Sequence, residues 1–190
     1  MEVVKKTYLS FSLTSNSIIA QIMWISAFAV LTIAGAKIEI PHYPVPFTLQ
    51  TFFVLLSGAF LGSRNGSLSQ VVYLSLGAIG IPVFAGMDAG IVKLFGPTAG
   101  YLFSFPVAAA CVGYLVRLRS ELWWTVVSFS VGLIMIFVSG SLFLQATVFH
   151  DWNKTIVSGL LIFSWWDIVK LAAAATIHHE FSKRFKTIPQ

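Results

Sequence analysis

Charged side chains are scarce in this sequence. Only 10% of its 190 residues are Asp, Glu, Lys or Arg, whereas a soluble domain usually carries about 25%. With 57% hydrophobic residues and a mean hydropathy of +0.84, too few polar side chains remain to cover a water-facing surface. The composition argues against a soluble module and predicts a single integral membrane domain over residues 1–190, with the lipid bilayer as its solvent.

Cysteine and the common enzyme motifs are also lacking. The single Cys111 cannot form an intrachain disulfide, and its apolar run predicts a buried thiol. No G-x-S-x-G, H-E-x-x-H or phosphate-binding loop occurs. His178, His179 and Glu180 adjoin one another, but neighbouring helical residues diverge by about 100° and do not share a face. We therefore expect no enzyme activity, no cofactor and no metal site.

What the sequence has in abundance is long apolar runs. A spanning helix needs roughly 20 apolar residues, so we predict an all-α membrane protein with six transmembrane helices. The second and third runs are short and separated by turn-type residues at 62–66, so a re-entrant hairpin is the alternative for that pair, and five or seven spans stay open. The first run exceeds an ordinary signal-peptide core, and we expect it to be retained. The predicted spans are 18–37, 47–62, 66–84, 97–116, 122–148 and 155–178.

The positions of Lys and Arg predict the orientation. With both termini in the cytoplasm, eight basic residues flank the spans inside and three lie in outer loops, which satisfies the positive-inside rule. The net charge of +5 is spread along these flanks and does not suggest nucleic acid as a partner. The inner set is Lys5, Lys6, Arg64, Arg117, Arg119, Lys183, Arg184 and Lys186, and the outer set is Lys37, Lys93 and Lys154.

Two outer loops have the composition of structured segments. Residues 38–47 contain three prolines within six positions, which suppress helix and predict a stiff, extended segment. Residues 86–96 contain three glycines, which permit unusual dihedral angles and close backbone approach. Both loops fall on the same face under the six-span prediction, although tight connection alone would also account for them.

The sixth apolar run contains an acid and a base three residues apart, Asp167 and Lys170. Each charge at mid-membrane costs at least about 2.5–3.5 kcal/mol, and the spacing places both on one helical face. That face must therefore look into the bundle or into a water-filled cavity. One interpretation is an internal ion pair that fixes helix packing. The other is a polar recognition site in an otherwise aromatic ligand pocket.

Four more residues are candidates for the same pocket. Gln50 opens the second span, where it either hydrogen-bonds a neighbouring helix or contacts a ligand. Lys93 in the glycine loop either meets an anion or is solvated at the interface. Phe84 and Tyr101 belong to the aromatics near the outer loops, and any single aromatic there could equally face lipid or core.

At this point the sequence resembles a family, the biotin-specific substrate-binding (S) components, BioY, of energy-coupling factor (ECF) transporters. The resemblance covers roughly residues 25–181 and rests on five stretches in the family's order. These are residues 36–41 (AKIEIP), 44–51 (PVPFTLQT), 76–86 (LGAIGIPVFAG), 96–101 (GPTAGY) and 167–170 (DIVK).

The resemblance implies six helices in the ECF S-component fold, an outward-facing biotin pocket, and a multi-pass location in the bacterial cell (inner) membrane. It also implies that Asp167 and Lys170 take part in biotin binding. We favour Asp167 on the ureido ring, and leave open whether Lys170 meets the ureido ring or the carboxylate. The implied partners are a membrane scaffold subunit and two ATPases, although some members are suspected of acting alone.

Two departures from the family are visible. Trp165 and Trp166 stand where the family usually has Pro-Gly, and the small residues of the first helix form only a loose series, Ser26, Ala29 and Ala36. Competing hypotheses are an S component for another small acid such as lipoate, a small intramembrane enzyme with Asp167 as base, and a structural membrane partner held by an internal ion pair.

Overall fold

The computed structural model describes residues 18–87, 90–159 and 164–184. For five of these residues it describes the backbone alone: Met87, Ser164, Trp165, Lys183 and Arg184. Within this part the chain is almost entirely helical, with one short β-hairpin. The α-helices are α1 (Ile18–Lys37), α2 (Gln50–Ala78), α3 (Ala99–Val116), α4 (Leu122–Leu144), α5 (Trp152–Gly159) and α6 (Ser164–Arg184). The strands are β1 (Glu39–Ile40) and β2 (Phe47–Thr48), Ala85–Met87 and Ile91–Phe95 are 3₁₀ helices, and Gln145–Phe149 is π-helical.

Three of the described helices are long and apolar enough to cross a bilayer on their own. They are Ile18–Lys37, Ala99–Val116 and the continuous Leu122–Phe149. Large apolar side chains on these helices point outward, and Val30, Val107 and Ile134 are each more than half exposed. A surface of this kind is suited to lipid rather than water.

Helix α2 is not straight, because the chain reverses direction inside it. Gly62 has φ 78° and ψ 179°, a conformation essentially restricted to glycine. In a straight helix Gly58 and Gly66 would lie about 12 Å apart, yet a Cβ on Gly66 would be 2.7 Å from the Cα of Gly58. Residues 50–61 and 63–78 therefore form two antiparallel halves that pack against each other.

The chain reverses within residues 62–66, where the turn was predicted, but the turn is shorter than predicted. Gly62 alone leaves the helical conformation, and Asn65 and Gly66 are helical and buried. The reason is packing: the second half of α2 must restart at once so that Gly66 can pack on Gly58. Helix α2 also begins at Gln50 and ends at Ala78, inside the predicted limits of 47 and 84.

The two loops that were predicted to share the outer face contact each other. The proline loop forms an antiparallel pair in which Glu39 is opposite Thr48 and Ile40 is opposite Phe47. The Glu39 carboxylate accepts hydrogen bonds from the Gly86 backbone N–H at 2.9 and 3.0 Å. The Lys37 ammonium donates to the Phe84 carbonyl at 2.7 Å. The β-hairpin is thus attached to the connection between α2 and α3.

The buried core has two apolar clusters that both use α2 and α3. One is centred on Tyr73, Phe105 and Ile136 and lies toward the β-hairpin. The other contains Leu55 and Phe129, together with small residues of α6, and lies toward the Gly62 reversal. The first cluster forms the floor and walls of the site described next.

Candidate functional site

Asp167 and Lys170 lie in the first turns of α6 and form an ion pair. The Lys170 Nζ is 2.5 Å from the Asp167 Oδ1, and Asp167 is 1% exposed. Their spacing of three residues places them on one helical face, and that face is turned toward β2 and the start of α2. The pair is therefore internal, as its position in an apolar run requires.

The Lys170 ammonium is fully engaged by protein groups. Besides Asp167, it donates to the Thr48 carbonyl at 2.9 Å and to the Thr51 hydroxyl at 2.9 Å. An ammonium has three N–H donors, and these contacts use all three. The Thr51 hydroxyl in turn donates to the Asp167 Oδ1 at 3.1 Å. Lys170 thus fixes the Asp167 side chain against α2.

The second oxygen of the same carboxylate has no such partner. Asp167 Oδ2 is buried and makes no hydrogen bond within the described part of the chain. The Thr98 hydroxyl, just before α3, is also buried without a partner there. A buried polar atom left unpaired costs about 1–3 kcal/mol, and more when it is charged. Both residues line one space, in which a bound molecule could supply the missing hydrogen bonds.

That space is a cavity of about 440 Å³, its open mouth included. We call it the Asp167 cavity. Its walls are mainly apolar and aromatic, with polar groups that include the hydrogen-bonded Thr51, Asp167 and Lys170. The lining residues are Val45, Pro46, Thr48, Gln50, Thr51, Thr98, Tyr101, Leu102, Phe105, Ile136, Phe137, Asp167 and Lys170.

Gln50 and Tyr101, two further candidates from the sequence, both line this cavity. The Gln50 amide nitrogen donates to the Tyr73 hydroxyl at 2.5 Å, and its oxygen accepts from Thr48 at 2.8 Å. The Tyr101 hydroxyl donates to the Gly159 carbonyl at 2.9 Å. Both side chains are therefore held rigidly while one surface of each remains on the cavity wall.

The other two candidates lie elsewhere. Phe84 is buried behind Tyr73, with ring centroids 5.7 Å apart. Lys93 is half-buried in the 3₁₀ helix Ile91–Phe95. Neither of them lines the Asp167 cavity. Phe84 packs on Tyr73, which in turn accepts a hydrogen bond from the wall residue Gln50. Lys93 lies in the connection between α2 and α3.

Sequence reasoning missed several residues of the cavity. Thr98 was detectable in principle, because it follows Pro97 at the start of a span. Phe105 and Phe137 face the cavity from mid-helix positions, where nothing in the sequence separates them from aromatic residues that face lipid.

Comparison with known proteins identifies the family. The sequence model described as "BioY family" matches residues 5–187. The chain belongs to the BioY family. The biotin transporter BioY of Thermotoga maritima is 43% identical over 157 residues, covering 83% of this chain and 92% of that protein. The probable biotin transporter BioY of Pyrococcus horikoshii is 41% identical over 160 residues, covering 83% and 93%.

The fold of this BioY chain also matches a solved structure. The crystal structure of the S-component for biotin from an ECF-type ABC transporter superposes with a TM-score of 0.81. The match covers 90% of this chain and 94% of that one, at 22% sequence identity. The fold is therefore that of an ECF S-component.

The small residues of the first helix in this BioY protein serve internal packing. Ala29 and Ala36 are 1% and 0% exposed, and a Cβ on Gly35 would be 3.0 Å from the Leu49 backbone. Only Ser26 of the predicted series faces outward. The series therefore brings α1 close to α2.

Beside the Asp167 cavity lies a second space of about 480 Å³, its open mouth included. We call it the Trp166 hollow. It shares Thr48 and Lys170 with the Asp167 cavity and includes Glu39 and Trp166. Trp166 of this BioY chain thus contributes to a wall beside the site. The side chain of Trp165 lies outside the described residues.

Proposed function

We propose that this protein is the biotin-binding component of a vitamin uptake transporter, capturing biotin at its outer face and moving it inward. The observation that carries the proposal is the unpaired Asp167 Oδ2 in a mainly apolar cavity. Biotin presents two N–H donors and a carbonyl on a compact ring system, which suits a buried carboxylate surrounded by apolar walls. The names of the relatives from T. maritima and P. horikoshii support the same ligand.

In this proposal Asp167 accepts a ureido N–H through Oδ2, and the Thr98 hydroxyl supplies a second hydrogen bond. Gln50 and Tyr101 form walls around the ring system. Because the Lys170 ammonium already has three protein acceptors, we infer that it positions Asp167 and does not bind the biotin carboxylate. Phe84 supports the wall from behind, and Lys93 remains a candidate for the carboxylate end.

We further propose six membrane spans with both termini in the cytoplasm of a bacterial cell. The antiparallel halves of α2 supply two of the spans, and α5 with α6 supplies the last. The reversal supports this arrangement, since it places Arg64 near Arg117, at the opposite end from Lys37. Lys5, Lys6 and Lys186, which also contribute to the predicted bias, lie outside the described residues.

Energy for uptake would come from partner subunits in this proposal. The sequence has no nucleotide-binding motif, so ATP-driven transport would require a scaffold subunit and ATPases; the structural match to the S-component of an ECF-type ABC transporter supports this. Because Ala29 and Ala36 are buried internally, a docking scaffold would have to use another surface of α1.

The ligand is tested by thermal unfolding of the purified protein in detergent with biotin, lipoate, thiamine or riboflavin. A ligand present at 100 times its Kd stabilises a folded protein by about 2.7 kcal/mol, which gives a measurable rise in Tm. We expect this rise with biotin alone. A larger rise in Tm with lipoate would indicate that lipoate, and not biotin, is the ligand. Conversion of a candidate substrate into product would contradict the transporter assignment.

A further inference from the structure

A third cavity lies at the end of the molecule opposite the Asp167 cavity. Residues 50–62 span about 18 Å of helix from that cavity to the reversal, where Arg117 packs over Gly62. The space measures about 1060 Å³ with its open mouth, and we call it the basic cavity. Its lining residues are Ala59, Val116, Arg117, Arg119, Ser120, Glu121, Thr125, His178, His179 and Ser182.

The polar lining of the basic cavity is rich in nitrogen donors. Arg119 and Arg117 carry fixed positive charges, two adjacent histidines face the same space, and Glu121 is the sole acid among the lining residues. His178 is 8% exposed and its ring packs against those of Phe60 and Phe129, so His179 is the more accessible of the two. The His178 Nε2 is 3.1 Å from the Ser182 hydroxyl. These groups together are suited to an anion.

The two arginines are not equivalent. A Cβ on Gly62 would be 2.0 Å from the Arg117 guanidinium, so Arg117 is committed to the reversal of α2. Arg119 lies 5.1 Å from the ring of Trp124 and 5.5 Å from that of Trp123. A guanidinium stacked on aromatic rings keeps its N–H groups directed outward in its own plane. Arg119 is therefore a preorganised donor at the cavity mouth.

The surroundings of the mouth distinguish a lipid from a free ion. Leu118, Leu122 and Trp123 beside Arg119 are exposed, and so is Phe181 on α6. A free phosphate would gain nothing from these apolar side chains. A phospholipid would lay its acyl chains against them and bring its phosphate to the basic groups. Basic pockets between membrane helices are a common way to bind anionic headgroups.

We propose that the basic cavity binds the phosphate group of an anionic phospholipid, with Arg119 and His179 as its principal donors. The acyl chains then lie along the exposed apolar side chains of α4 and α6. This site is separate from the Asp167 cavity, so the inference is independent of the identity of the transported ligand.

The test uses purified protein with phosphatidylglycerol or phosphatidylcholine of identical acyl chains, analysed by native mass spectrometry. We expect one retained phosphatidylglycerol and at least tenfold weaker retention of phosphatidylcholine. Arg119→Gln and His179→Ala should each weaken phosphatidylglycerol retention about tenfold, the lower range for losing one charged hydrogen bond. Arg119→Lys keeps the charge but loses the planar, ring-stacked N–H groups, so its retention should lie between those of wild type and Arg119→Gln. Arg64→Gln is the matched control, because Arg64 is exposed at the same end but does not line the cavity.

The remaining outcomes overturn the proposal in different ways. Loss of retention in Arg64→Gln equal to that in Arg119→Gln would indicate a general charge effect. Binding of inorganic phosphate without a preference for phosphatidylglycerol would assign the cavity to a free anion. Binding of an acidic peptide in place of lipid would assign it to a protein partner. Thermal unfolding of each variant separates these results from a failure to fold.

Discussion

At the scale of single residues, the two oxygens of the Asp167 carboxylate have different surroundings. Oδ1 is held by Lys170 and Thr51, whereas Oδ2 has no partner in the described chain. The high cost of placing charge in a membrane made Asp167 and Lys170 predictable from the sequence. The different hydrogen bonding of the two side chains was not predictable from the sequence. Lys170 finds its partners on β2 and α2, which are more than 100 residues away in sequence.

The ion pair gives the first prediction. Asp167→Asn should weaken biotin binding at least tenfold, since one charged hydrogen bond contributes about 1.5–3 kcal/mol. Lys170→Met should weaken it to a similar extent, because Asp167 then loses the ion pair that holds its carboxylate in place. Lys170→Met should also lower stability by about 3–5 kcal/mol, because it leaves a buried carboxylate unpaired. In the double variant, stability should recover and binding should not.

Equilibrium binding and thermal unfolding measure the two effects, with exposed Lys154→Met as control. Wild-type affinity in the double variant would show that the pair is structural.

Thr98 gives the second prediction. Thr98→Val removes a buried hydroxyl without a partner in the described chain, so the ligand-free protein should be as stable as wild type or slightly more stable. Biotin binding should weaken about two- to tenfold, the range for one neutral hydrogen bond. The control is Thr176→Val, since Thr176 is exposed and bonds only its own helix. An unchanged affinity for biotin in Thr98→Val would show that the Thr98 hydroxyl does not bind biotin.

At the scale of elements, α2 determines how the site and the opposite end are connected. Its glycine-rich stretch at 62–66 allowed a turn to be predicted, because such residues mark chain reversals. The extent of the turn was not predictable, since it depends on the contact of Gly66 with Gly58 and of Gly113 with the reversal. Such contacts depend on the packing of α2 against itself and against α3.

The reversal gives the third prediction. Gly62→Ala combines a glycine-only conformation with a clash, because the new Cβ would be 2.0 Å from the Arg117 guanidinium. Gly80 also has positive φ, but a Cβ there has open space, so Gly80→Ala isolates the backbone strain of about 1–2 kcal/mol. We expect Gly62→Ala to be the more destabilising of the two by at least about 1 kcal/mol. Equal losses of Tm in the two variants would show that the Arg117 side chain can move away without cost and does not anchor the reversal.

At the scale of the whole molecule, the two ends differ in chemistry. One end has the β-hairpin, the Asp167 cavity and the Glu39 contact to Gly86, and the other has the basic cavity. The sorting of basic residues between the two sides of the membrane stays a prediction of the positive-inside rule; among the described residues, Arg64 and Arg117 lie at the end opposite Lys37. The sequence predicted a pocket around Asp167 but not the basic cavity, which arises where helices distant in sequence meet.

The orientation gives the fourth prediction. In a Cys111→Ser background, a cysteine introduced by Glu39→Cys or Lys154→Cys should react with a membrane-impermeant maleimide added to intact cells. One introduced by Ser120→Cys should react only after the cells are broken. The positive-inside rule is the physical reason. Labelling of Ser120→Cys in intact cells would contradict the proposed six-span orientation.

The central claim is that the Asp167 cavity holds biotin, and equilibrium binding of radiolabelled biotin to the purified wild-type protein tests it most directly. We expect saturable binding of one biotin per chain, displaced by unlabelled biotin and left unchanged by excess thiamine or riboflavin. Folded protein that shows no saturable binding of biotin into the high micromolar range would contradict the account.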